Sequence, residues 1–212
     1  YLKFLNNYCK KNKIILFFDE ILTGIRVNCS SVQNILKIKP DISTFGKIIG
    51  GGMPIGIIGL SRKVLANLKK RKKRVFFGGT YSGNSLSTFV GNETLEFIIK
   101  NKKKIFPKIE KHSQLFQKKI NRFIDENQID AKVIRFHSLI RIVFSRESIR
   151  NRFQRDFFEK RKTGKRENFI KYLKEAGVYF PGNGVISLSY SLTDNQIAYV
   201  IKKINLGLKK FF

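Results

Sequence analysis

A short apolar run, Lys13-Ile14-Ile15-Leu16-Phe17-Phe18, stops at two adjacent carboxylates, Asp19-Glu20. A run of this length, rich in β-branched and aromatic side chains, predicts a buried parallel strand rather than a helix. Open α/β sheets bind their ligands outside the carboxyl ends of the strands, and Asp19 stands at such an end. Aspartate is rarely buried without a partner. A satisfied structural carboxylate or a helix cap is the plain reading of Asp19, and a ligand contact is the functional one.

A second stretch narrows the choice. Pro40-Asp41-Ile42-Ser43-Thr44-Phe45-Gly46-Lys47-Ile48-Ile49-Gly50-Gly51-Gly52-Met53-Pro54-Ile55-Gly56 carries one lysine, the only charge between Asp41 and Arg62. A lysine isolated among apolar residues and glycines is expected to be partly desolvated. Desolvation disfavours the ammonium form and frees the amine, as a Schiff-base lysine requires. The glycines allow close backbone approach to a bulky ligand, or make an ordinary surface turn.

The third stretch is Phe76-Phe77-Gly78-Gly79-Thr80-Tyr81-Ser82-Gly83-Asn84-Ser85, which opens an amphipathic segment at 86–99. Small residues with hydroxyls and free amides ahead of a helix suit a phosphate group. An N-cap by Ser82 or Asn84 is the structural alternative. A carboxylate at a strand end, an isolated lysine before glycines and a hydroxyl-rich helix entry, in this order, together suit pyridoxal phosphate chemistry.

On these residues the chain resembles the class III aminotransferases, within the fold-type I group of pyridoxal phosphate enzymes. Among them it is most similar to glutamate-1-semialdehyde 2,1-aminomutase-like proteins. The matching residues are Asp19-Glu20 with Thr23-Gly24 and Arg26, the run 40–56, and Gly79-Thr80 with Ser82-Gly83-Asn84. The likeness continues at Glu175-Ala176-Gly177-Val178-Tyr179-Phe180 and at Leu192-Thr193-Asp194.

The resemblance implies a role for each residue. Asp19 would pair with the pyridine nitrogen of pyridoxal 5'-phosphate and keep it protonated. Ile21 would pack on one face of the ring. Lys47 would hold the cofactor as a Schiff base and then move the substrate proton as base and acid. Gly79, through its amide, and Thr80 would bind the cofactor phosphate. In this family that loop usually serves the neighbouring subunit, which implies a homodimer acting on a small amino or keto substrate.

Family members are about twice as long, so the chain reads as the C-terminal half of such an enzyme. The missing half would carry the first strands, a further phosphate loop and substrate contacts. A true aminomutase is also expected to show a Phe-Glu-Ala segment ahead of a Ser-x-x-His-Thr segment. Here Gly184 stands about where the glutamate would be, and Leu192 where the histidine would be. Both an aminotransferase for another substrate and the aminomutase of tetrapyrrole synthesis stay open.

Composition bounds the rest. A compact chain of 212 residues buries roughly 70% of its unfolded surface, enough for a core. No apolar run is long enough to span a bilayer. Cys9 and Cys29 form no metal-ligand spacing, and free thiols in a cytoplasmic protein are expected. The net charge of +28, with basic clusters at 69–74, 100–104 and 146–166 and Phe153, Phe157 and Phe158 interleaved, could be a nucleic-acid footprint on a decayed, non-catalytic enzyme fold. Richness in Lys, Asn, Ile and Phe together favours compositional drift spread over solvated faces.

The expected fold class is α/β, in two domains. Residues 1–100 read as the second part of a large cofactor-binding α/β domain. Residues 101–212 read as a small α+β domain, with helices at 108–126, 168–175 and 194–208 and strands at 131–135, 139–144 and 185–190. Gly177 and Thr193 are the expected C-cap and N-cap, and 147–167 is read as mobile.

Overall fold

The computed structural model describes residues 1–70, 75–76 and 78–212. The basic run 71–74 and Phe77 of the hydroxyl-rich loop lie outside the described residues. The chain divides into two compact units, Tyr1–Lys103 and Lys104–Phe212.

The first unit begins with α1 (Leu2–Lys11), β1 (Phe17–Asp19), α2 (Val32–Ile35) and β2 (Ile42–Gly46). A 3-10 turn (Lys47–Gly50), β3 (Gly56–Leu60), α3 (Arg62–Lys69) and the start of α4 (Ser85–Glu126) come next. The sheet order is β1-β2-β3. β1 runs parallel to β2, pairing Phe17 with Ile42, Phe18 with Ser43 and Asp19 with Thr44. β3 returns antiparallel, with Thr44 opposite Ile58 and Gly46 opposite Gly56.

The parallel pairing and the strand end at Asp19 agree with the sequence reading, but the burial does not. Phe18 is buried, whereas Ile14 and Ile15 lie ahead of the strand and are exposed, as is Phe17. An apolar run is buried on both faces only where both are covered, and β1 is an edge strand of the described sheet.

The helices expected at 86–99 and 108–126 are one continuous helix, α4, with Pro107 inside it. Proline removes the hydrogen bond to the carbonyl four residues back and normally interrupts a helix. The helix nevertheless carries buried side chains at Ile98, Ile105, His112, Phe116, Ile120 and Ile124. These fall at helical intervals straight through the proline, so burial along one stripe outweighs the local break.

Close packing accounts for two glycines. Gly51, which closes the 3-10 turn, has φ 58°, and a Cβ there would lie 2.1 Å from Thr94 Oγ1. A Cβ on Gly91 would meet the Ile49 carbonyl at 2.9 Å. Gly51 and Gly91 thus admit α4 against the turn.

The second unit is α+β. β4 (Lys132–Phe136), β5 (Leu139–Val143) and β6 (Val185–Ser187) form an antiparallel sheet in that order. α5 (Arg152–Lys160), α6 (Thr163–Glu175) and α7 (Asp194–Phe211) complete it. The core joins Phe116 and Ile120 of α4, Ile140 and Ile142 of β5, Phe169 and Leu173 of α6, and Ile204 and Leu208 of α7.

Both expected caps form. Thr193 Oγ1 accepts the Gln196 N–H at 3.2 Å, and Gln196 Oε1 accepts the Thr193 N–H at 2.9 Å, a capping box. Gly177 adopts φ 72° beyond α6, donating its N–H to the Lys174 carbonyl. The stretch 147–167 is not an open loop. It forms α5 and the beginning of α6, where buried Glu159 accepts from Arg141 Nη2 at 2.9 Å. A buried carboxylate needs a partner, and this pairing ties α5 to β5.

Candidate cofactor site

β1 and β2 end side by side, and the residues at and just past the two strand ends carry the chemistry. Asp19 closes β1 and is exposed. Its Oδ1 accepts the Ile21 backbone N–H at 3.0 Å and the Thr44 hydroxyl at 3.2 Å. Among the described residues Oδ2 accepts no hydrogen bond, so one carboxylate oxygen is held and the other is open.

Strand alternation sends the next side chain to the opposite face. Glu20 is buried and accepts the N–H groups of Val32 at 3.1 Å and Gln33 at 2.7 Å, and the Thr23 hydroxyl. The carboxylate caps α2 alongside Ser31, whose hydroxyl accepts the Asn34 N–H. Ser43 of β2 bonds Gln33 Oε1 at 3.0 Å, so both strands are fixed to one short helix. Burial pulls the pKa of Arg26 below its ordinary value, and its Nε donates to the Leu22 carbonyl, closing the turn beyond Glu20.

Lys47 comes directly after β2. It has φ 53°, in the left-handed region that side chains with a Cβ rarely occupy. Backbone strain of this kind collects at functional sites. The desolvation expected from the sequence is not found: Lys47 is exposed and has no hydrogen-bond partner among the described residues. Of the glycines after it, Gly51 packs against Thr94 of α4, while nothing lies within 4 Å of a Cβ on Gly52. Ile21 lies close by, with its Cγ2 3.4 Å from the position of a Cβ on Gly46. The structure therefore brings Asp19, Ile21 and Lys47 to one sheet end.

Gly79 and Thr80 lie in the loop ahead of α4. Gly79 accepts the Ser82 N–H at 2.9 Å in a turn ahead of α4, and Asn84 Oδ1 accepts the Ser87 N–H at 2.9 Å as the helix cap. An open groove of about 640 Å³ runs along this turn, lined by Gly79, Ser82, Asn84, Ser87, Ile55 and Leu95 among others. None of Asp19, Ile21, Lys47 and Thr80 lines it.

Thr44 and Glu20 are the residues at the site to which the sequence assigned no role. Only the register places Thr44 opposite Asp19, and register is a tertiary property. The two aminomutase-specific positions also find structural uses. Gly184 has φ 75° and lies under the Arg141 guanidinium, while Leu192 packs against the core of the second unit. Of the aromatics offered for base stacking, Phe153 is exposed and Phe157 lies under Arg161. Among the described residues no group of His, Cys, Asp and Glu could hold a metal ion, and no helix is long and apolar enough to cross a membrane.

The sequence pattern of the family described as Aminotransferase class-III matches residues 1–208. The chain belongs to the class-III aminotransferase family. It is 35% identical over 201 residues to the glutamate-1-semialdehyde 2,1-aminomutase of Alkaliphilus metalliredigens, covering 92% of this chain and 44% of that protein. The protein of the same name from Clostridium novyi is 30% identical over 99% of this chain and 48% of its own length. Among solved structures, an omega-transaminase from Sphaerobacter thermophilus superposes with a TM-score of 0.84 at 20% identity, covering 98% of this chain and 47% of that one. The chain thus spans a little under half the length of the relatives it matches. The fold is that of the fold-type I transaminases, and class-III aminotransferases use pyridoxal phosphate.

Proposed function

We propose that this chain supplies one part of a pyridoxal 5'-phosphate site for amino-group transfer on a small amino or keto substrate. The observation that carries the reading is the shared sheet end: Asp19 with an open Oδ2 and Lys47 in strained backbone close two neighbouring parallel strands. These groups fit the cofactor, a carboxylate for its ring nitrogen and a primary amine for its aldehyde.

When bound, the cofactor supplies a sink for the electron pair left as the substrate carbon loses its proton. Asp19 Oδ2 would accept a hydrogen bond from the protonated ring nitrogen and hold that proton in place. Ile21 bears on the ring face and excludes water. The Lys47 amine takes the proton from the substrate carbon and returns it. The Gly79 amide and the Thr80 hydroxyl bind the phosphate of the partner subunit's cofactor in a homodimer. The aminomutase is the second reading, favoured by the names of the 30–35% identical relatives. Free Cys9 and Cys29 support a cytoplasmic location.

Borohydride reduction of the complete polypeptide with pyridoxal phosphate, then peptide mapping, tests the site. A pyridoxyl adduct confined to Lys47 is the expected result. Adducts scattered over surface lysines, or none, would overturn it in favour of a decayed, non-catalytic fold.

A further inference from the structure

We infer that Thr44 is the positioning residue for Asp19, selecting which carboxylate oxygen meets the cofactor. This role rests on the proposed contact of Asp19 with the ring nitrogen and adds a residue to it. A carboxylate on a free side chain rotates and offers either oxygen. Here the two available donors, the Ile21 N–H at 3.0 Å and the Thr44 hydroxyl at 3.2 Å, converge on Oδ1. Oδ2 is left with its lone pairs unengaged among the described residues.

The first donor comes from the turn just past β1, and the second comes across the ladder from β2. The register that sets Thr44 opposite Asp19 is itself held on both sides. The Glu20 N–H donates to the Thr44 carbonyl at 2.9 Å, and Glu20 and Ser43 both bind the α2 segment. The hydroxyl is therefore delivered by a fixed backbone. This role needs no contact between Thr44 and the cofactor. It acts through Asp19, whose grip on the ring-nitrogen proton depends on the direction of Oδ2.

A threonine in a strand also has a plain reason to be there, its β-branched shape. Thr44→Val keeps that shape and removes the donor, so the two roles separate. The experiment uses the complete polypeptide loaded with pyridoxal phosphate, with wild type, Thr44→Val and Thr44→Ser compared. The readouts are cofactor affinity and the pH titration of the visible absorbance of the lysine-bound cofactor.

Thr44→Val is expected to bind the cofactor up to about tenfold more weakly, because the freed Asp19 carboxylate must be ordered again to aim Oδ2 at the ring nitrogen. Its absorbance titration is expected to move to higher pH, because a ring nitrogen that holds its proton less firmly withdraws less charge from the imine. Thr44→Ser is expected to restore both. Unchanged affinity and titration in Thr44→Val would overturn the role of Thr44 while leaving the Lys47 site intact. A Thr44→Ser variant as impaired as Thr44→Val would also overturn it, since shape rather than the hydroxyl would then be responsible. If wild type itself forms no lysine-bound chromophore, the reading of the site fails, and the role of Thr44 fails with it.

Discussion

Glu20 Oε1 accepts the Gln33 backbone N–H at 2.7 Å, across thirteen residues of sequence, from a position that is 1% exposed. The same carboxylate accepts the Val32 N–H through its other oxygen. One buried anion thus satisfies the first amides of α2 and anchors the strand end on which Asp19 sits.

Replacing Glu20 by Gln keeps the size but offers one acceptor oxygen where two are used. The amide nitrogen would then face the Val32 N–H, leaving a buried donor without a partner. Unsatisfied buried groups cost about 1–3 kcal/mol, with hydrogen bonds to charged groups at the upper end. Glu20→Gln is expected to lower unfolding free energy by about 2 kcal/mol, measured by urea titration. A loss below a few tenths would show that the cap contributes nothing to stability.

Lys47 allows function and stability to be separated. Its left-handed backbone costs about 1–2 kcal/mol for a residue with a Cβ, and glycine escapes that cost at some expense in chain entropy. Lys47→Ala and Lys47→Gly are both expected to abolish turnover in the complete protein. Lys47→Gly should be the more stable of the two by about 1 kcal/mol in a denaturant titration. Equal stability, or the reverse order, would show that this backbone is relaxed in solution.

Gly51 combines a φ of 58° with the 2.1 Å approach of Thr94 Oγ1 to the Cβ position. Gly51→Ala therefore meets both a conformational and a steric penalty, and is expected to destabilise by about 1–3 kcal/mol. Thr94→Ala placed on top of it should recover part of the loss, since the blocking hydroxyl is removed. Strict additivity of the two changes in a double-mutant cycle would contradict the contact.

Asp194 opens α7 and pairs with buried His112 of α4, Oδ1 to Nε2, at 2.7 Å. The hydrogen bond from His112, assisted by the charge of Lys111, holds its carboxyl below the usual carboxylate range. A group whose folded pKa is depressed adds stability above its unfolded pKa, about 3.9 for aspartate, and that stability is lost as pH falls through the folded value. Asp194→Asn is expected to flatten the acid side of the stability–pH curve below about pH 4. Denaturant titrations between neutral and acid pH check this. An acid limb identical in wild type and variant would remove the pairing from the account.

Much of the site was legible in the residues alone. A strand ending at Asp19 follows from a short apolar run cut off by charge, and the caps at Thr193 and Gly177 follow from residue types with one preferred backbone use. The continuous α4 was not legible, because Asn101 and Pro107 locally oppose a helix and only burial of Ile98 and Ile105 on one stripe overrides them. The exposure of Lys47 was not legible either, since an apolar neighbourhood in sequence does not guarantee cover in space.

The sequence by itself determined which groups are available: a carboxylate at a strand end, an amine before a glycine turn, hydroxyls ahead of a helix. Local chemistry and periodicity are written in the order of residues, so these could be read directly. The tertiary structure alone decided how they are aimed. Pairing Asp19 with Thr44 rather than with a neighbour one place along depends on the register of two strands 25 residues apart. A slip of one residue would turn Thr44 to the other face of the sheet, because alternate side chains point to opposite sides. The hydroxyl meets Oδ1 and leaves Oδ2 open only because Glu20, Ser43 and α2 lock that register in place.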